Sequence, residues 1–214
     1  MKSKITKESR ALMIAALLGD GSISKGHGYR MCHGYAQKEY LQWKINKFHQ
    51  HGLKTCGLKE SICSVGYNVG STYYYTRMYI IPFVKTLRRI MYKPKKVIAN
   101  RKMLNRLTPL GLAIWYMDDG CLNLRKKDGE VKGFAVRIAT CLSPEDVQII
   151  IDYFKEEWDL HFYRFSEGKG TYSIACGSGS GRKFFNIIRP YVLEVPSMRY
   201  KIGYNLDQKH FVLE

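Results

Sequence analysis

Acidic residues are scarce in this chain of 214 residues, in which 18 Asp and Glu stand against 35 Lys and Arg. The formal net charge is +17 at pH 7. So large an excess of one sign repels itself, and a polyanionic partner would compensate it. We therefore expect the surface to bind nucleic acid. The 45% of hydrophobic residues is enough for one sizeable core or two small fused ones.

Other signals are missing altogether. The six cysteines include no Cys-x-x-Cys pair, so the sequence predicts neither a zinc ribbon nor a thioredoxin-type site. The apolar run at 11–18 is too short to span a bilayer, and no signal peptide precedes it. The ends show neither a splicing Cys or Ser nor a His-Asn pair, so we do not expect an intein. We expect a reduced, intracellular protein with no membrane partner.

Two short stretches, 13–21 and 112–120, carry most of the information. Each is an apolar, helix-like run that ends in Asp followed directly by Gly. We expect that glycine to cap the helix in the left-handed conformation. Asp20 and Asp119 would then lie at the negative end of a helix dipole, which is unfavourable for a carboxylate unless a cation is near. Two such ends brought together would bind a hard divalent metal.

The segments that follow the two motifs repeat one order. Each half is predicted to contain a motif helix, a two-stranded ribbon, an amphipathic helix, two further strands and a last helix. In the first half the later elements are predicted at 22–37, 38–51, 55–65, 72–80 and 82–92. In the second they are predicted at 122–141, 143–158, 161–166, 171–176 and 182–188. The prediction is an α+β chain of two pseudo-symmetric αββαββα halves, 1–92 and 107–214, joined by a basic linker, 93–106.

Alternation along the strands separates a covered face from a polar face. In the first ribbon we expect helices to cover Cys32, Gly34 and Ala36. The polar faces carry the residues that we expect to contact DNA: Tyr29, His33, Tyr35, Gln37, Tyr73, Tyr75, Arg77 and Arg137. The two arginines are the strongest candidates for reading bases, because a guanidinium can pair with O6 and N7 of guanine. The alternative is that they contact only the phosphate backbone.

At these motifs the chain resembles the LAGLIDADG homing endonucleases. The segment 107–120, the later segments 188–191 and 198–201, and the pair Lys95 and Lys96 carry the resemblance, which covers nearly the whole length. It implies a monomer in which two motif helices lie side by side at a pseudo-twofold axis. Each half would place helices on one antiparallel sheet, and the two sheets would form a saddle over duplex DNA.

The resemblance also implies the chemistry. Asp20 and Asp119 would bind catalytic divalent metal, Mg²⁺ with Mn²⁺ or Ca²⁺ also able to occupy the site, and the carbonyls of Gly19 and Asp118 would complete it. The expected activity is site-specific double-strand cleavage of DNA by phosphodiester hydrolysis, in a protein of the intron-encoded type. An intron RNA-splicing maturase and a non-catalytic DNA-binding protein on the same scaffold are the alternatives.

Further site residues are implied in the same way. Lys96 and Lys201 would activate water or steady the scissile phosphate. Gln37 stands where the family often has a glutamine near the site, whereas the second half offers Thr140 or Cys141. We therefore expect the two active sites to be unequal.

Overall fold

A computed structural model describes residues 5–64, 66, 68–79, 81–92, 96–205 and 210–211. The chain divides into two compact units, Met1–Val97 and Ile98–Glu214. Each unit contains helices and a four-stranded antiparallel sheet in the predicted order, so the predicted α+β fold of two similar halves is confirmed. Lys95 and the predicted strand ends Val65 and Ile80 lie outside the described residues.

The first unit begins with the first motif helix. Its elements are α1 (Lys7–Leu18), β1 (Ser22–Ile23), β2 (Tyr29–Gly34), a 3₁₀ turn (Tyr35–Gln37), α2 (Lys38–Gln50), β3 (Lys59–Ile62), β4 (Thr72–Met78) and α3 (Pro82–Met91). The strands are ordered β1-β2-β4-β3 and every neighbouring pair is antiparallel. The central pair, β2 and β4, therefore belongs to different segments of the chain, separated by α2.

The second unit repeats this order after a short helix. Its elements are α4 (Arg101–Leu104), α5 (Pro109–Asp119), β5 (Gly120–Lys127), β6 (Glu130–Leu142), α6 (Pro144–Trp158), β7 (Tyr163–Gly168), β8 (Thr171–Gly177), α7 (Ser178–Val192), a 3₁₀ stretch (Pro196–Ile202), and a short pair, β9 (Tyr204–Asn205) and β10 (His210–Phe211). The sheet order, β5-β6-β8-β7, matches that of the first unit.

Local sequence signals explain where several elements begin and end. The side chains of Thr6, Thr108 and Ser143 each accept a hydrogen bond from the backbone N–H three residues later, which caps α1, α5 and α6. The hairpin between β5 and β6 turns at Asp128 and Gly129, whose φ angles of 53° and 82° suit a two-residue turn. Caps of this kind contribute about 1 kcal/mol each.

Helix α7 is longer than predicted. The last helix is predicted at 182–188, but the Gly- and Ser-rich residues 178–181 form the first turn of the helix, which begins at Ser178. Gly181 has a steric reason, because a Cβ at that position would lie 2.6 Å from the ring of Phe134. Glycine is therefore needed where the helix approaches β6 closely, and it does not interrupt the helix there.

Most of each motif helix is buried on every side. Residues 11–18 of α1 are at most 2% exposed, and residues 110–117 of α5 are buried throughout. A helix that is apolar all round is one that lies inside a protein. This burial fixes the ends of α1 and α5, from which the acidic residues emerge. Within the described residues, no helix is both long enough and apolar enough to cross a membrane.

Candidate functional site

Each motif helix places an acidic residue at its carboxyl end. In the first unit, the N–H of Gly19 donates to the carbonyl of Ala15 and α1 ends, and Asp20 follows with its side chain 41% exposed. In the second unit, Asp119 is the last residue of α5 and is half-buried, as is Asp118. Helix carbonyls concentrate negative charge at both places, so a bound cation would be favourable there.

The glycines after these acids have a steric role that differs from the predicted one. Gly120 caps α5 with a φ angle of −83°, the φ angle of Gly21 is not positive, and α1 is capped earlier, at Gly19, with a φ angle of −86°, so the predicted left-handed cap is wrong. A Cβ on Gly21 would lie 2.4 Å from the carbonyl oxygen of Ala16, and one on Gly120 would lie 2.0 Å from the ring of Tyr116. In each unit the chain folds back tightly against the preceding helical turn, which only glycine allows.

A lysine beyond α3 holds the end of the first motif helix. The Nζ atom of Lys96 donates to the carbonyl oxygen of Gly19 over 2.8 Å and lies 3.4 Å from that of Gly21. The last carbonyls of a helix lack intrahelical partners, and a cation near them offsets the dipole. Lys96 therefore fixes the backbone on both sides of Asp20.

The second unit repeats this contact with a residue from the 3₁₀ stretch after α7. Lys201, only 7% exposed, has its Nζ atom 2.6 Å from the carbonyl oxygen of Met117 and 3.3 Å from that of Asp118. The phenol of Tyr116 in turn donates to the carbonyl of Lys201 over 2.6 Å. Burial raises the pKa of Tyr116 well above its ordinary value, so this phenol remains a donor. The helix end and the 3₁₀ stretch thus hold each other.

A chain of polar side chains runs from the interior of the first unit to Asp20. His33, which is buried, has Nδ1 3.1 Å from Oε1 of Gln37 and 3.4 Å from Oδ2 of Asp20. Its other ring nitrogen, Nε2, lies 3.0 Å from Nζ of the fully buried Lys44. The imidazole also packs edge-on against Tyr40, with ring centroids 5.0 Å apart. His33 is therefore held on three sides beside the exposed carboxylate.

The second unit has different chemistry at the corresponding strand end. Thr140 donates from its N–H to the hydroxyl of Ser173 and from its own hydroxyl to the carbonyl of Tyr172, both over 3.0 Å. The pairing of β6 with β8 is interrupted between Ile138 and Leu142, and Cys141 there is exposed with a φ of 50°. The side chain of Thr140 is thus directed to its neighbouring strand.

One face of the first sheet carries a cluster of arginine and tyrosine side chains. Along β4 the buried residues are Tyr74, Thr76 and Met78, and the residues between them are more exposed, as predicted. Arg77 pairs in register with Arg30 of β2. The guanidinium of Arg30 lies 4.5 Å from the ring centroid of Tyr75, and it donates to the hydroxyl of Tyr73 over 3.0 Å. Hydrogen bonds from Ser61 and then Arg30 lower the pKa of Tyr73.

The model of the LAGLIDADG DNA endonuclease family matches residues 10–184 of the chain. The chain belongs to this family. Probable intron-encoded endonuclease 1 of Wickerhamomyces canadensis is 26% identical over 207 residues, which cover 95% of this chain and 86% of that protein. The predicted resemblance to LAGLIDADG proteins is therefore confirmed.

Two further comparisons show how much of the chain is similar to other proteins. Protein RecA of Mycolicibacterium chitae is 28% identical over 212 residues, which cover 93% of this chain and 47% of that protein. The chain thus spans about half the length of the curated RecA relatives it matches. The structure of the homing endonuclease I-WcaI bound to its DNA recognition sequence aligns with a TM-score of 0.72 at 22% identity, covering 95% of this chain and 89% of that one, and so shares the fold.

In this LAGLIDADG chain the predicted alternation of β2 is wrong by one residue. Tyr29, Met31 and His33 are buried, and Arg30 and Cys32 lie on the more open face. Tyr29 is 1% exposed and its phenol donates to the carbonyl of Met13 in α1 over 2.8 Å, so the prediction that it contacts DNA is also wrong. The error has a physical cause: the inward face holds large rings whose polar atoms find buried partners, and the small residues stay outside.

The remaining residues of the predicted ribbon do not alternate at all. Residues 35–37 form a 3₁₀ turn, in which side chains no longer point to opposite sides of a sheet. Tyr35 is 68% exposed, which leaves its predicted DNA contact open. Gln37 instead belongs to the polar chain beside Asp20. Gly34 and Ala36, which we expected helices to cover, are exposed.

Arg137 stands on the more open side of β6, as predicted, between the buried Val136 and Ile138. Its guanidinium forms an ion pair with Glu167 and lies 4.4 Å from the ring centroid of Phe165. A hydrogen bond from Ser173 and then the contact with Arg137 lower the pKa of Glu167, so this carboxylate stays ionised at neutral pH. Glu167 and Phe165 therefore restrain the side chain of Arg137, which the sequence did not indicate.

Two residues that the structure brings to this LAGLIDADG site, Arg30 and Lys44, were not predicted from the sequence. Arg30 was missed because the predicted strand register placed it on the covered face. Lys44 was passed over as one basic residue among many. A usable signal existed for Lys44, because it lies on the apolar side of α2 with Leu41, Ile45 and Phe48, where a charged residue is unusual.

Proposed function

We propose that the chain is a site-specific endonuclease that hydrolyses both strands of duplex DNA with divalent metal bound at Asp20 and Asp119. The observation that carries this proposal is the repeated helix end. In each unit an acidic residue follows or ends a buried helix whose last carbonyls accept hydrogen bonds from a lysine, Lys96 or Lys201. Two such sites in one chain suit the two strands of a duplex and make a monomer sufficient.

The donor atoms at these helix ends fit a hard divalent cation. Carboxylate oxygens and main-chain carbonyls are the ligands that Mg²⁺ and Ca²⁺ prefer. The carbonyls of Gly19 and Asp118 accept from a lysine, and a carbonyl oxygen keeps a second lone pair for a metal. We propose that Asp20 and Asp119 hold the metal together with these carbonyls. When bound, Mg²⁺ would lower the pKa of a water molecule and stabilise charge on the attacking and leaving oxygens.

Lys96 and Lys201 have two roles in this proposal. Their hydrogen bonds fix the backbone from which the carboxylates project, so the metal ligands need little rearrangement. Their positive charge also lies close to the carboxylate that a phosphate must approach, which lowers the electrostatic cost of bringing these two negative groups together. A water molecule that attacks phosphorus needs no protein nucleophile, consistent with the lack of a Ser-His or Cys-His arrangement in the sequence.

The exposed face with Arg30, Tyr73, Tyr75 and Arg77 is the proposed DNA contact of the first unit. The guanidinium groups of Arg30 and Arg77 both lie near the ring of Tyr75, and the planar forks of arginines can pair with base edges or phosphates. The net charge of +17 supplies the sequence-independent part of the affinity. Arg137 and Tyr35 are the corresponding candidates elsewhere on the sheets.

Cleavage of a randomised duplex library tests the proposal even though the target sequence is not known. Purified protein with Mg²⁺ should enrich one sequence among the cut ends, and chelation of the metal should abolish the cuts. RNA binding tighter than duplex binding at matched salt, without cleavage, would instead support an intron RNA-splicing maturase. Tight, sequence-specific DNA binding with no cuts in Mg²⁺ or Mn²⁺ would support a non-catalytic DNA-binding protein.

A further inference from the structure

Lys44 occupies a place where a charged group is costly. It is fully buried on the apolar side of α2, and an ammonium without partners there would lose its hydration without compensation. The second unit shows the apolar alternative: the spacing of the buried residues Leu41, Lys44 and Phe48 in α2 equals that of Val147, Ile150 and Phe154 in α6. At the position of Lys44 the repeat thus has isoleucine, so the shared fold does not require a lysine.

The partners of Lys44 indicate what it does. Its Nζ atom lies 3.0 Å from Nε2 of His33 and 4.7 Å from the ring centroid of Tyr40. An ammonium group has only hydrogen-bond donors, so Nε2 must accept with its lone pair. In the neutral imidazole the proton then resides on Nδ1. From there it points to Oε1 of Gln37 at 3.1 Å and to Oδ2 of Asp20 at 3.4 Å.

We infer that Lys44 is a positioning residue of the first half, which holds His33 as the Nδ1–H tautomer so that this ring orients Gln37 and the carboxylate of Asp20. In this arrangement neither ring nitrogen is a metal ligand, because Nε2 is taken by Lys44 and Nδ1 carries the proton. His33 instead contacts Asp20, the proposed metal ligand, and orients its carboxylate without binding the metal itself. The consequence for cleavage rests on the proposed function, whereas the tautomer does not.

Among the described residues, only the first half has this contact between a buried lysine and a histidine. The second unit has Ile150 at the position of Lys44, and Thr140, near the end of β6, bonds to its neighbouring strand. The two strands of a target would therefore be cut by sites with different support. Loss of Lys44 should slow one strand and spare the other.

Nuclear magnetic resonance of the full chain without metal tests the tautomer directly. In protein with ¹⁵N- and ¹³C-labelled histidine, we expect the His33 ring, assigned by its loss in His33→Gln, to show a protonated Nδ1 and an unprotonated Nε2. Lys44→Met should let the ring exchange between tautomers. Lys47→Met, which removes a half-exposed lysine of the same helix, should not. A wild-type ring protonated on Nε2 would overturn the inference, and this measurement needs no variant of Lys44 to fold.

Strand-resolved cleavage tests the consequence. With end-labelled target duplex at saturating protein, Lys44→Met should slow one strand about 10- to 100-fold, the usual loss when an outer partner of a ligand is removed. The other strand and the affinity for DNA should be unchanged, and Lys47→Met should cut both strands normally. Equal slowing of both strands in a folded Lys44→Met protein would contradict the positioning role. If the wild type cuts neither strand, the proposed function fails while the tautomer result still stands.

Discussion

Lys96 donates from Nζ to the carbonyl oxygen of Gly19 over 2.8 Å, and this contact joins a residue beyond α3 to the end of α1. The sequence separates the two residues by most of the first unit, so only the folded chain can bring them together. Lys96 therefore has a structural role, as a cation at a helix terminus. The same contact places its positive charge beside the carboxylate that we propose binds metal.

The first prediction concerns the two acids. Asp20→Asn and Asp119→Asn should each abolish double-strand cleavage, because an amide replaces a charged hard-oxygen ligand with a neutral one of nearly the same shape. DNA affinity should largely persist, since most of it comes from basic residues. Conversion of supercoiled target plasmid to linear product measures the effect. Asp159→Asn, which changes an exposed acid paired with Lys183, is the control, and full cleavage by either site variant would refute the assignment.

The second prediction concerns Lys201. Lys201→Met should lower the free energy of unfolding by about 1–3 kcal/mol, because two carbonyls at the end of α5 lose a buried donor. It should also lower the cleavage rate at saturating DNA. Urea unfolding and single-turnover cleavage measure the two effects, and Lys183→Met, at an exposed ion pair, should change neither by much. A variant that loses only DNA affinity would reduce Lys201 to a phosphate contact.

The third prediction concerns the close approach of the chain to the motif helices. Gly120→Ala should destabilise the protein by about 1–3 kcal/mol, because the added methyl group collides with the ring of Tyr116 and forces the strand away. Gly34→Ala is the matched control, since a Cβ on Gly34 would have nothing within 4 Å. Denaturant midpoints compare the two. Equal stability of both variants would mean that the turn after Asp119 has room that the structure does not show.

Much of the fold could be predicted because its signals are local. The caps at Thr108 and Ser143, the turn at Asp128 and the paired motifs each act within a few residues, and the elements that they bound lie close to the predicted ranges. The face of β2 could not be predicted in the same way. Its alternation fits either register, and the choice depends on the carbonyl of Met13, a distant buried partner for the phenol of Tyr29.

The candidate site could likewise be predicted only where its signals are local. Asp20 and Asp119 could be named because each stands next to a glycine that ends an apolar run. The hydrogen bonds of Lys96 and Lys201 to helix carbonyls could not, since the residues that meet are about 80 positions apart along the chain. The role of Lys44 also depends on a partner, His33, whose buried orientation follows from the register of β2.

The fourth prediction concerns salt. If about six to ten phosphates are neutralised, the logarithm of the association constant should fall with the logarithm of salt concentration with a slope of roughly −5 to −9. Fluorescence anisotropy with a labelled target duplex across a salt series measures it. A slope near −1 would be incompatible with a basic surface that follows the DNA backbone. The same series with RNA of equal length separates the maturase alternative.

The last prediction concerns base reading by the sheets. Arg77 is exposed beside Arg30 and Tyr75, whereas Arg137 forms an ion pair with Glu167, so the side chain of Arg137 is the more restrained of the two. Arg77→Ala should cost roughly 1–3 kcal/mol of binding and relax the preference at one or two base positions. Arg137→Ala should do the same at other positions, because a fork held by a carboxylate still presents its outer N–H groups to guanine.

Cleavage profiles over a randomised target library show whether Arg77 and Arg137 contact bases or only phosphates. Arg101→Ala, which removes an arginine of α4 paired with Glu156 and Glu157, is the control and should leave the profile unchanged. If Arg77→Ala lowers affinity uniformly and its profile matches the wild type at every position, Arg77 is a phosphate contact. In that case the specificity of the first unit must come from other residues of the exposed face, of which Arg30 is the next to test, because it shares the ring of Tyr75.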